Sequence, residues 1–454
     1  MSLRNKYLLI IACIGLLTGC ESFLDSRPDI RLVVPETLDD IQAMLNHDNL
    51  HNSSGYNLIS TDDMYFPDSR ALTLNINDLN HYSWADFPYE VSATHIDWFL
   101  LYRNIFSVNH IINLLNNMDT PETESNRMWQ SNMLGHAYFL RAYYYFDLLQ
   151  IFANPYDDQT ASTDLGVPIR LTDDVKVIEQ RHSVQEGYDQ IFSDLEKAYE
   201  LLPVIETLRS KSSKLVVDAF KARIYHSMRN YNLSREYAEK VLTQYSVIPN
   251  YSQLNIGTNF PLMMDGVIFH SHHGSISFLH TSGVSVGLIN PDLFNEYHQN
   301  DLRKTLYFSL GPDGLANRVR SYSGFFLGFT GLATDEMYLI VSEGLARNNQ
   351  IPQAINILNT LLEPKWLPGT FEPYTASNQQ EAMSIILQER RKQLVMRGQR
   401  WSDLRRLNME PQYAVTLYRN ILGETFTLPP NDPRYAIQIP PDESDLSGIQ
   451  LNPR

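Results

Sequence analysis

Three histidines form the only metal-like cluster in the sequence: His270, His272 and His273, with His280 further on. They follow the apolar residues 267–269, a pattern typical of a strand, so His270 and His272 would share one face. Two imidazoles without a nearby carboxylate make a weak metal site. We therefore predict no metal and no cofactor, with a sugar-hydroxyl contact as an alternative for these histidines.

Two polar segments combine aromatic rings with hydrogen-bonding side chains, at residues 62–89 and 278–326. Tyr and Trp rings can cover the apolar face of a sugar, and flanking polar groups can bond its hydroxyls. Loop aromatics can instead pack as a lid on the core, and that alternative stays open for each residue. The candidate ligand-binding residues are Trp84, Tyr322, Tyr65, Tyr89, Phe326, Asp62, Asp63 and Arg320.

Charged residues crowd around one tryptophan at positions 389–406, a density that could suggest catalysis. The structural explanation is stronger, because arginine suits buried bridges to carboxylates. We expect ion pairs here that hold helices together. Two residues of the apolar helix at 137–152 are expected to have a similar role. The predicted structural residues are Arg141, Asp147, Glu389, Arg390, Gly398, Arg400, Trp401 and Asp403.

Composition restricts the function classes. The 454 residues carry a formal charge of -16, and 43% are hydrophobic. A net acidic chain argues against nucleic acid as a partner, and this apolar fraction argues against disorder. A glycoside hydrolase would need two carboxylates, but no motif selects a pair. We predict a protein that is not an enzyme.

The N-terminus has the pattern of an export signal. Arg4 and Lys6 precede an apolar run at residues 7–17, which is too short to span a bilayer. The run ends in Leu17-Thr18-Gly19-Cys20, which looks like a bacterial lipobox. We predict a signal peptide at 1–19, which removes Cys13, and lipid on Cys20.

Most of the remaining chain shows helical periodicity. The predicted helices are 38–45, 96–115, 129–152, 184–201, 215–228, 233–245, 335–347, 351–362 and 379–397. Residues 219–242 and 338–364 resemble tetratricopeptide hairpins. Residues 52–92 and 249–333 instead predict loops and short strands. We predict one domain at 20–454: a helical N-terminal half to 248, a loop-rich ligand-face insertion at 249–333, and a C-terminal helical region at 334–454.

Several motifs in order resemble the SusD/RagB family of outer-membrane lipoproteins. The resemblance begins at Cys20-Glu-Ser-Phe-Leu-Asp25 and continues through His136 to Leu148. Tyr297, Asp301 and Arg303 match a family pattern. The region from Glu389 to Arg406 is the most specific, while Thr334 stands where the family usually has arginine.

This resemblance implies a mainly α SusD-like fold built on tetratricopeptide-like hairpins. It implies a lipid-anchored binding protein on the outer face of the outer membrane. The expected partners are a TonB-dependent, SusC-like β-barrel transporter and an oligosaccharide, with ligand held by loops in about the two aromatic regions. Capture of peptide or another nutrient by the same lid mechanism is the alternative.

Overall fold

A computed structural model describes residues 35–90, 96–255, 257–274, 287–325 and 327–454. The chain divides into two units, with Met44 as the last residue of the smaller and Leu45 as the first of the larger. Within the smaller unit, the Thr37 backbone amide donates to Asp40 at 3.0 Å, which closes the first turn of helix α1.

Helices dominate the described chain. Their bounds are α1 Leu38–Leu45, α2 Asp68–Ala71, α3 Ile76–Tyr82, α4 Ile96–Asn117, α5 Glu124–Phe152, α6 Val184–Leu201, α7 Lys214–Ser227, α8 Tyr231–Gln244, α9 Pro291–Asn295, α10 Leu302–Tyr307, α11 Thr334–Arg347, α12 Ile351–Leu362, α13 Gln379–Gln393, α14 Gln399–Asn408 and α15 Pro441–Ser447. The predicted mainly α class is confirmed.

The strands are short and form two-stranded sheets. They are β1 Asn52–Ser53, β2 Met64–Tyr65, β3 Leu165–Pro168, β4 Arg181–Ser183, β5 Val267–Phe269, β6 His272–His273, β7 Leu288–Ile289, β8 Phe308–Leu310, β9 Ala316–Arg318, β10 Leu332–Ala333, β11 Leu417–Ile421 and β12 Glu424–Leu428. Among the described residues, five sheets are antiparallel, and the β1–β6 pair is parallel.

Helix α5 is the central element of the helical part. The Thr123 side chain caps its first turn, and its C-terminal half is buried on nearly every face. Helices α4 and α6 both pack against it. Helix α6 begins with a capping box in which Ser183 and Glu186 exchange hydrogen bonds, so its start is fixed by local sequence.

Both predicted tetratricopeptide-like hairpins are present as helix pairs, α7–α8 and α11–α12. Arg229 and Asn349 make the turns with φ of 63° and 59°. The two hairpins are distant in sequence, but α8 packs directly on α11. A continuous stack therefore buries the faces that one hairpin alone would leave exposed.

The predicted helix 379–397 is too long. Helix α13 ends at Gln393, and both Met396 and Gly398 have φ in the left-handed region, 58° and 76°. A right-handed helix cannot continue through such residues. The chain makes a turn at residues 394–398, and α14 starts at Gln399.

Candidate functional site

The described parts of the two aromatic segments are far apart in sequence but lie on one hydrophobic core. Strand β2 pairs with β7, and β1 pairs with β6. Buried residues of both segments share a cluster that includes Phe66, Tyr82, Tyr251 and Tyr322. The loops that carry the predicted ligand-binding residues are therefore joined into one loop-rich part of the molecule.

Trp84 does not offer an exposed ring. It is only 4% exposed, its indole nitrogen donates to the Ser60 carbonyl at 2.9 Å, and the Arg419 guanidinium lies 4.2 Å from its ring centre. The ring therefore packs as a lid on the core, and one of its faces already contacts a cation. Contact between Trp84 and a ligand stays a prediction.

A narrow crevice of about 20 Å³ does reach the edge of Trp84. Its wall includes Arg434, Gln438 and Arg454 from the C-terminal segment. A volume of that size holds about one water molecule. As the structure stands, a sugar hydroxyl fits there, but a whole ring does not.

Tyr322 is likewise buried, at 3% exposure. Its hydroxyl bonds that of Tyr251 at 2.5 Å, and the guanidinium of Arg397 lies 4.7 Å from its ring. Burial raises the pKa of Tyr322 well above its ordinary value, and Asp335 raises it further. Tyr322 therefore also packs as part of the core, and contact between Tyr322 and a ligand stays a prediction.

Arg320 and Tyr322 line a second crevice of about 20 Å³, which Gln393 and Arg397 complete. Arg320 is half-buried and donates to the carbonyls of Thr258 and Leu306 at 2.7 and 3.1 Å. Loss of water around the guanidinium lowers its pKa. The polar side chains of this crevice come from β9 and the residues after it, from the end of α13 and from the turn that follows α13, so the crevice suits an acceptor such as a sugar oxygen.

Asp62 and Asp63 are tied to the C-terminal helices. Both carboxylate oxygens of Asp62 accept from Arg400, at 2.7 and 2.8 Å, and Asp63 accepts from Arg391 at 2.8 Å. Burial opposes ionisation of Asp62, but Arg400 and Arg391 outweigh it and lower its pKa. For Asp63 burial prevails, and the pKa is raised. These ion pairs position the loop, and ligand contacts at Asp62 and Asp63 stay predictions.

The remaining aromatic candidates are less enclosed. Tyr65 is half-buried in β2, and Tyr89 is half-buried with its hydroxyl donating to the Gln438 carbonyl at 2.8 Å. Phe326 lies outside the described residues. Phe87, in the first aromatic segment, is 60% exposed. Ligand contacts at Tyr65, Tyr89 and Phe326 stay predictions.

The histidines lie in the loop-rich core. His270, His272 and His273 are buried, and they bond or pack against the protein itself. His273 Nε2 accepts from the Gly328 amide at 2.7 Å, and His270 Nε2 donates to the Ser323 carbonyl at 3.1 Å. Among the residues that the structure describes, no group of three or more metal-binding side chains is placed to hold a metal ion.

Arg141 joins three helices. It donates to both oxygens of Asp194 in α6, at 2.8 and 2.7 Å, and to Asn109 in α4 at 2.9 Å. Asp147, on the same helix α5, accepts from the hydroxyl of Ser53 and the amide of Ser54. Burial raises the pKa of Asp147. Asp194 was not predicted, since a lone acidic residue on a helix gives no signal of its partner.

Glu389 belongs to a buried ionic group with Asp301, Arg303 and Lys392. Arg303 bonds Glu389 at 2.6 Å and Asp301 at 2.7 Å, and Lys392 bonds Glu389 at 2.6 Å. Burial opposes ionisation of Glu389, but Arg303 and Lys392 outweigh it and hold its pKa at about 2. The Asp-x-Arg pattern in the sequence was the signal for this group.

A second ionic chain begins at Arg390. Arg390 bonds Asp403 at 2.9 Å, Asp403 also accepts from Arg406, and Arg406 bonds Glu343 of α11 at 2.7 Å. Burial opposes ionisation of Asp403, but its two arginines outweigh it and hold its pKa at about 2. Trp401 is buried, with its ring centre 5.0 Å from that of Tyr435. Every carboxylate in this charged region is therefore engaged in an ion pair.

Cys20 and the predicted signal at 1–19 lie outside the described residues. Within the described part of the chain, none of the helices has the length and hydrophobicity needed to cross a membrane.

Comparison with known proteins relates the whole fold to one family. A model described as "Starch-binding associating with outer membrane" matches residues 22–226, and a SusD family model matches 334–445. Two curated relatives from Formosa agariphila are similar to this chain. SusD-like protein P38 is 24% identical, and the match covers 88% of this chain and 90% of that protein. SusD-like protein P2 is 23% identical, and the match covers 95% of this chain and 100% of that protein.

Solved structures share the fold at low identity. A SusD superfamily protein from Bacteroides thetaiotaomicron has a TM-score of 0.73 at 19% identity, covering 92% of this chain and 100% of that one. A SusD-like carbohydrate binding protein from Bacteroides vulgatus has a TM-score of 0.69 at 19% identity, covering 91% and 97%. With the fold and two separate parts of the sequence in agreement, this chain belongs to the SusD/RagB family.

Proposed function

We propose that this protein captures an oligosaccharide at the outer surface of the outer membrane and delivers it to a TonB-dependent, SusC-like transporter. Family membership carries the proposal, since the matched model describes starch binding and association with the outer membrane. A structural neighbour is named a carbohydrate binding protein. In this proposal lipid on Cys20 holds the protein at the membrane, and no catalytic step is involved.

The two crevices in the loop-rich part support the location of the ligand. One has the Trp84 edge with Arg434 and Gln438, and the other has Arg320 with Gln393. Each combines an aromatic edge with donors and acceptors, which is the arrangement that orients a sugar. Because both crevices are narrow, we propose that the outer, less buried rings of Tyr65 and Phe87 make the first contacts.

Calorimetry with a panel of plant, algal and host polysaccharides tests glycan capture. We expect one glycan class to bind, and Phe87→Ala and Tyr65→Ala to weaken that binding by about 1 kcal/mol each, as loss of an aromatic contact does. Tyr418→Ala is the matched control, since Tyr418 is 69% exposed on the β11–β12 hairpin. Binding of peptides but of no glycan would overturn the proposal in favour of the alternative nutrient.

Fractionation tests the anchor separately. We expect the wild-type chain in the outer-membrane fraction and a Cys20→Ala variant in the soluble fraction, because stable attachment depends on acyl chains at that residue. A Cys20→Ala variant that stays with the membrane would exclude the lipid anchor. Co-purification with a β-barrel transporter from detergent extracts tests the partner.

A further inference from the structure

The crevice beside Tyr322 is cationic, although the formal charge of the whole chain is -16. Three arginines line it, and none of the described residues in its wall is acidic. They are Arg318, Arg320 and Arg397. Two larger cavities elsewhere, of about 290 and 640 Å³, each have three carboxylate side chains in their walls. The described chain therefore places a local excess of positive charge at one of the two crevices that the proposed function uses.

The arginines reach this crevice from two separate parts of the chain. Arg318 is the last residue of β9, and the Val319 amide donates to the Tyr307 carbonyl at 2.8 Å, so the extended chain continues to Arg320. Residues two apart in an extended chain point to the same side. Arg397 comes from the turn that follows α13. Local conformation and tertiary contact together thus gather the guanidinium groups.

Arg320 has no counter-ion among the described residues. Its Nε and Nη1 donate only to the backbone carbonyls of Thr258 and Leu306, and its Nη2 makes no hydrogen bond to the described residues. The side chain is half-buried rather than enclosed, so an incoming group can reach it. Arg397 differs, since it bonds Asp335 at 2.7 Å. The charge of Arg320 therefore remains for a ligand to neutralise.

The wall of the crevice is short of negative charge. Burial lowers the pKa of Arg318 to about 10, and loss of water also lowers the pKa of Arg320. Burial raises the pKa of both Tyr307 and Tyr322 well above the ordinary value, so neither phenol ionises at neutral pH to supply an anion. An anionic group that entered the crevice would offset the desolvation of the two arginines.

We propose that this crevice binds the acidic substituent of a charged oligosaccharide, a carboxylate or a sulfate ester. The inference rests on the proposed function and names the class of glycan that is captured. A guanidinium presents parallel N–H donors that match two oxygens of an acidic group, and such charge-assisted hydrogen bonds are stronger than those to a neutral hydroxyl. Arg320 supplies the main contact.

The size of the crevice agrees with a substituent rather than a ring. A volume of about 20 Å³ holds about one water molecule, so it admits an oxygen of the acidic group while the sugar ring stays at the mouth. The Trp84 crevice is different, because its Arg434 already bonds both oxygens of Asp432, each at 2.8 Å. The acidic group is therefore assigned to the Tyr322 crevice.

Pairs of oligosaccharides that differ only in charge test the inference by calorimetry. For a carboxylate, the pairs are oligogalacturonate with its methyl ester, and a glucuronate-substituted xylo-oligosaccharide with the unsubstituted chain. For a sulfate, the pair is a carrageenan oligosaccharide with its desulfated form. We expect at least one acidic probe to bind, and its uncharged partner to bind at least about tenfold more weakly. The pair that responds identifies the acidic group.

Arg320→Gln removes the charge and keeps a hydrogen-bonding side chain. We expect it to weaken binding of the acidic probe by about tenfold or more, and to change binding of the uncharged partner by less than about twofold. Arg320→Lys keeps the charge without the fork, so its effect should be intermediate. Arg170→Gln is the matched control, since Arg170 is also half-buried, donates to the Val177 carbonyl at 2.8 Å and lines neither crevice.

Three results would overturn the inference. They are binding of uncharged glycans only, equal binding of an acidic probe and its uncharged partner, and an Arg320→Gln variant that binds the acidic probe as tightly as the wild type. A neutral glycan whose binding is weakened by Phe87→Ala would show that the proposed function survives such a failure. Absence of binding to every glycan would remove both.

Discussion

Lys365 is a buried cation with little compensation for its charge. Its side-chain nitrogen has no hydrogen-bond partner among the described residues, and it lies 4.3 Å from the ring centre of Tyr251. Nearby, Asp301, Asp335 and Glu389 already pair with Arg303, Arg397 and Lys392. Desolvation therefore prevails over the attraction of Asp335 and lowers the pKa of Lys365 to about 7.

This pKa predicts a pH dependence of stability. An unfolded lysine has a pKa of about 10.4, so from pH 7 to about 10 the unfolded state binds more protons than the native state. The contribution of Lys365 then favours the native state increasingly as pH rises, by at most about 1.4 kcal/mol per pH unit. Urea unfolding at several pH values should show this slope in the wild type relative to Lys365→Met.

Lys304→Met is the control for that experiment, since the Lys304 side chain is half-buried and donates to the Tyr297 carbonyl at 2.9 Å. Tyrosines that titrate in the alkaline range are common to all three proteins and cancel in the difference. The free energies of unfolding of the wild type and Lys365→Met should not change in parallel from pH 7 to 10. Parallel changes would contradict the desolvation of the Lys365 amine that the structure indicates.

The burial of an ion pair decides how much the pair contributes to the free energy of unfolding. The side chains of Arg141 and Asp194 are 4% and 0% exposed, whereas those of Arg127 and Glu124 are 44% and 80% exposed. Asp194→Asn should lower the free energy of unfolding by about 3–5 kcal/mol, because it leaves a buried guanidinium without its counter-ion. Glu124→Gln should change it by less than about 1 kcal/mol. Equal effects in chemical denaturation would contradict this account.

At the scale of elements, Gly398 separates two helices that share one charged interface. Its φ is 76°, and a Cβ built there would meet its nearest neighbour, a Thr330 methyl group, at 3.8 Å. Space is therefore not limiting, and only the backbone conformation disfavours other residues.

Gly398→Ala should cost about 1–2 kcal/mol of stability through backbone strain alone. Gly398→Asn should cost less, because asparagine enters the left-handed region more readily. Thermal unfolding of the two variants checks the order. A larger loss in the asparagine variant would point to a steric cause instead.

Periodicity located the long helices but not the short antiparallel hairpin β11–β12. Its turn, at Leu422 and Gly423, has φ of 52° and 86°, as a type I′ turn requires. Leucine rarely occupies the first of these positions, so the usual hairpin signal is missing from the sequence. The tertiary contact of Arg419 with Tyr82 and Trp84 lies on this hairpin.

For the whole molecule, ion pairs over long sequence distances join the N-terminal loops to the C-terminal helices. Asp62 bonds Arg400 and Arg391, and Asp63 bonds Arg391. Asp62 and Asp63 were expected as ligand contacts and Arg400 as a structural residue, whereas Arg391 was not singled out. The structure brings the two sets together, and the loop is thereby held in place.

Asp62→Asn should loosen this connection. Loss of the charge weakens hydrogen bonds to two arginines, at a cost of about 1–3 kcal/mol, and residues 56–66 should exchange backbone hydrogen faster. Asp86→Asn is the matched control, since the Asp86 side chain is 64% exposed and 3.9 Å from Arg434. Hydrogen-exchange mass spectrometry would contradict the link if the two variants exchanged alike.

The sequence by itself determined the helical class, most helix positions, the two hairpins and the family, because these depend on local periodicity and on motifs in order. Tertiary structure decided the environment of each aromatic side chain. Trp84 and Tyr322 have the sequence context of open loops, yet Arg419 and Arg397, more than 70 residues away in the chain, lie against their rings. Burial and ion pairing depend on such distant partners, and local sequence does not encode them.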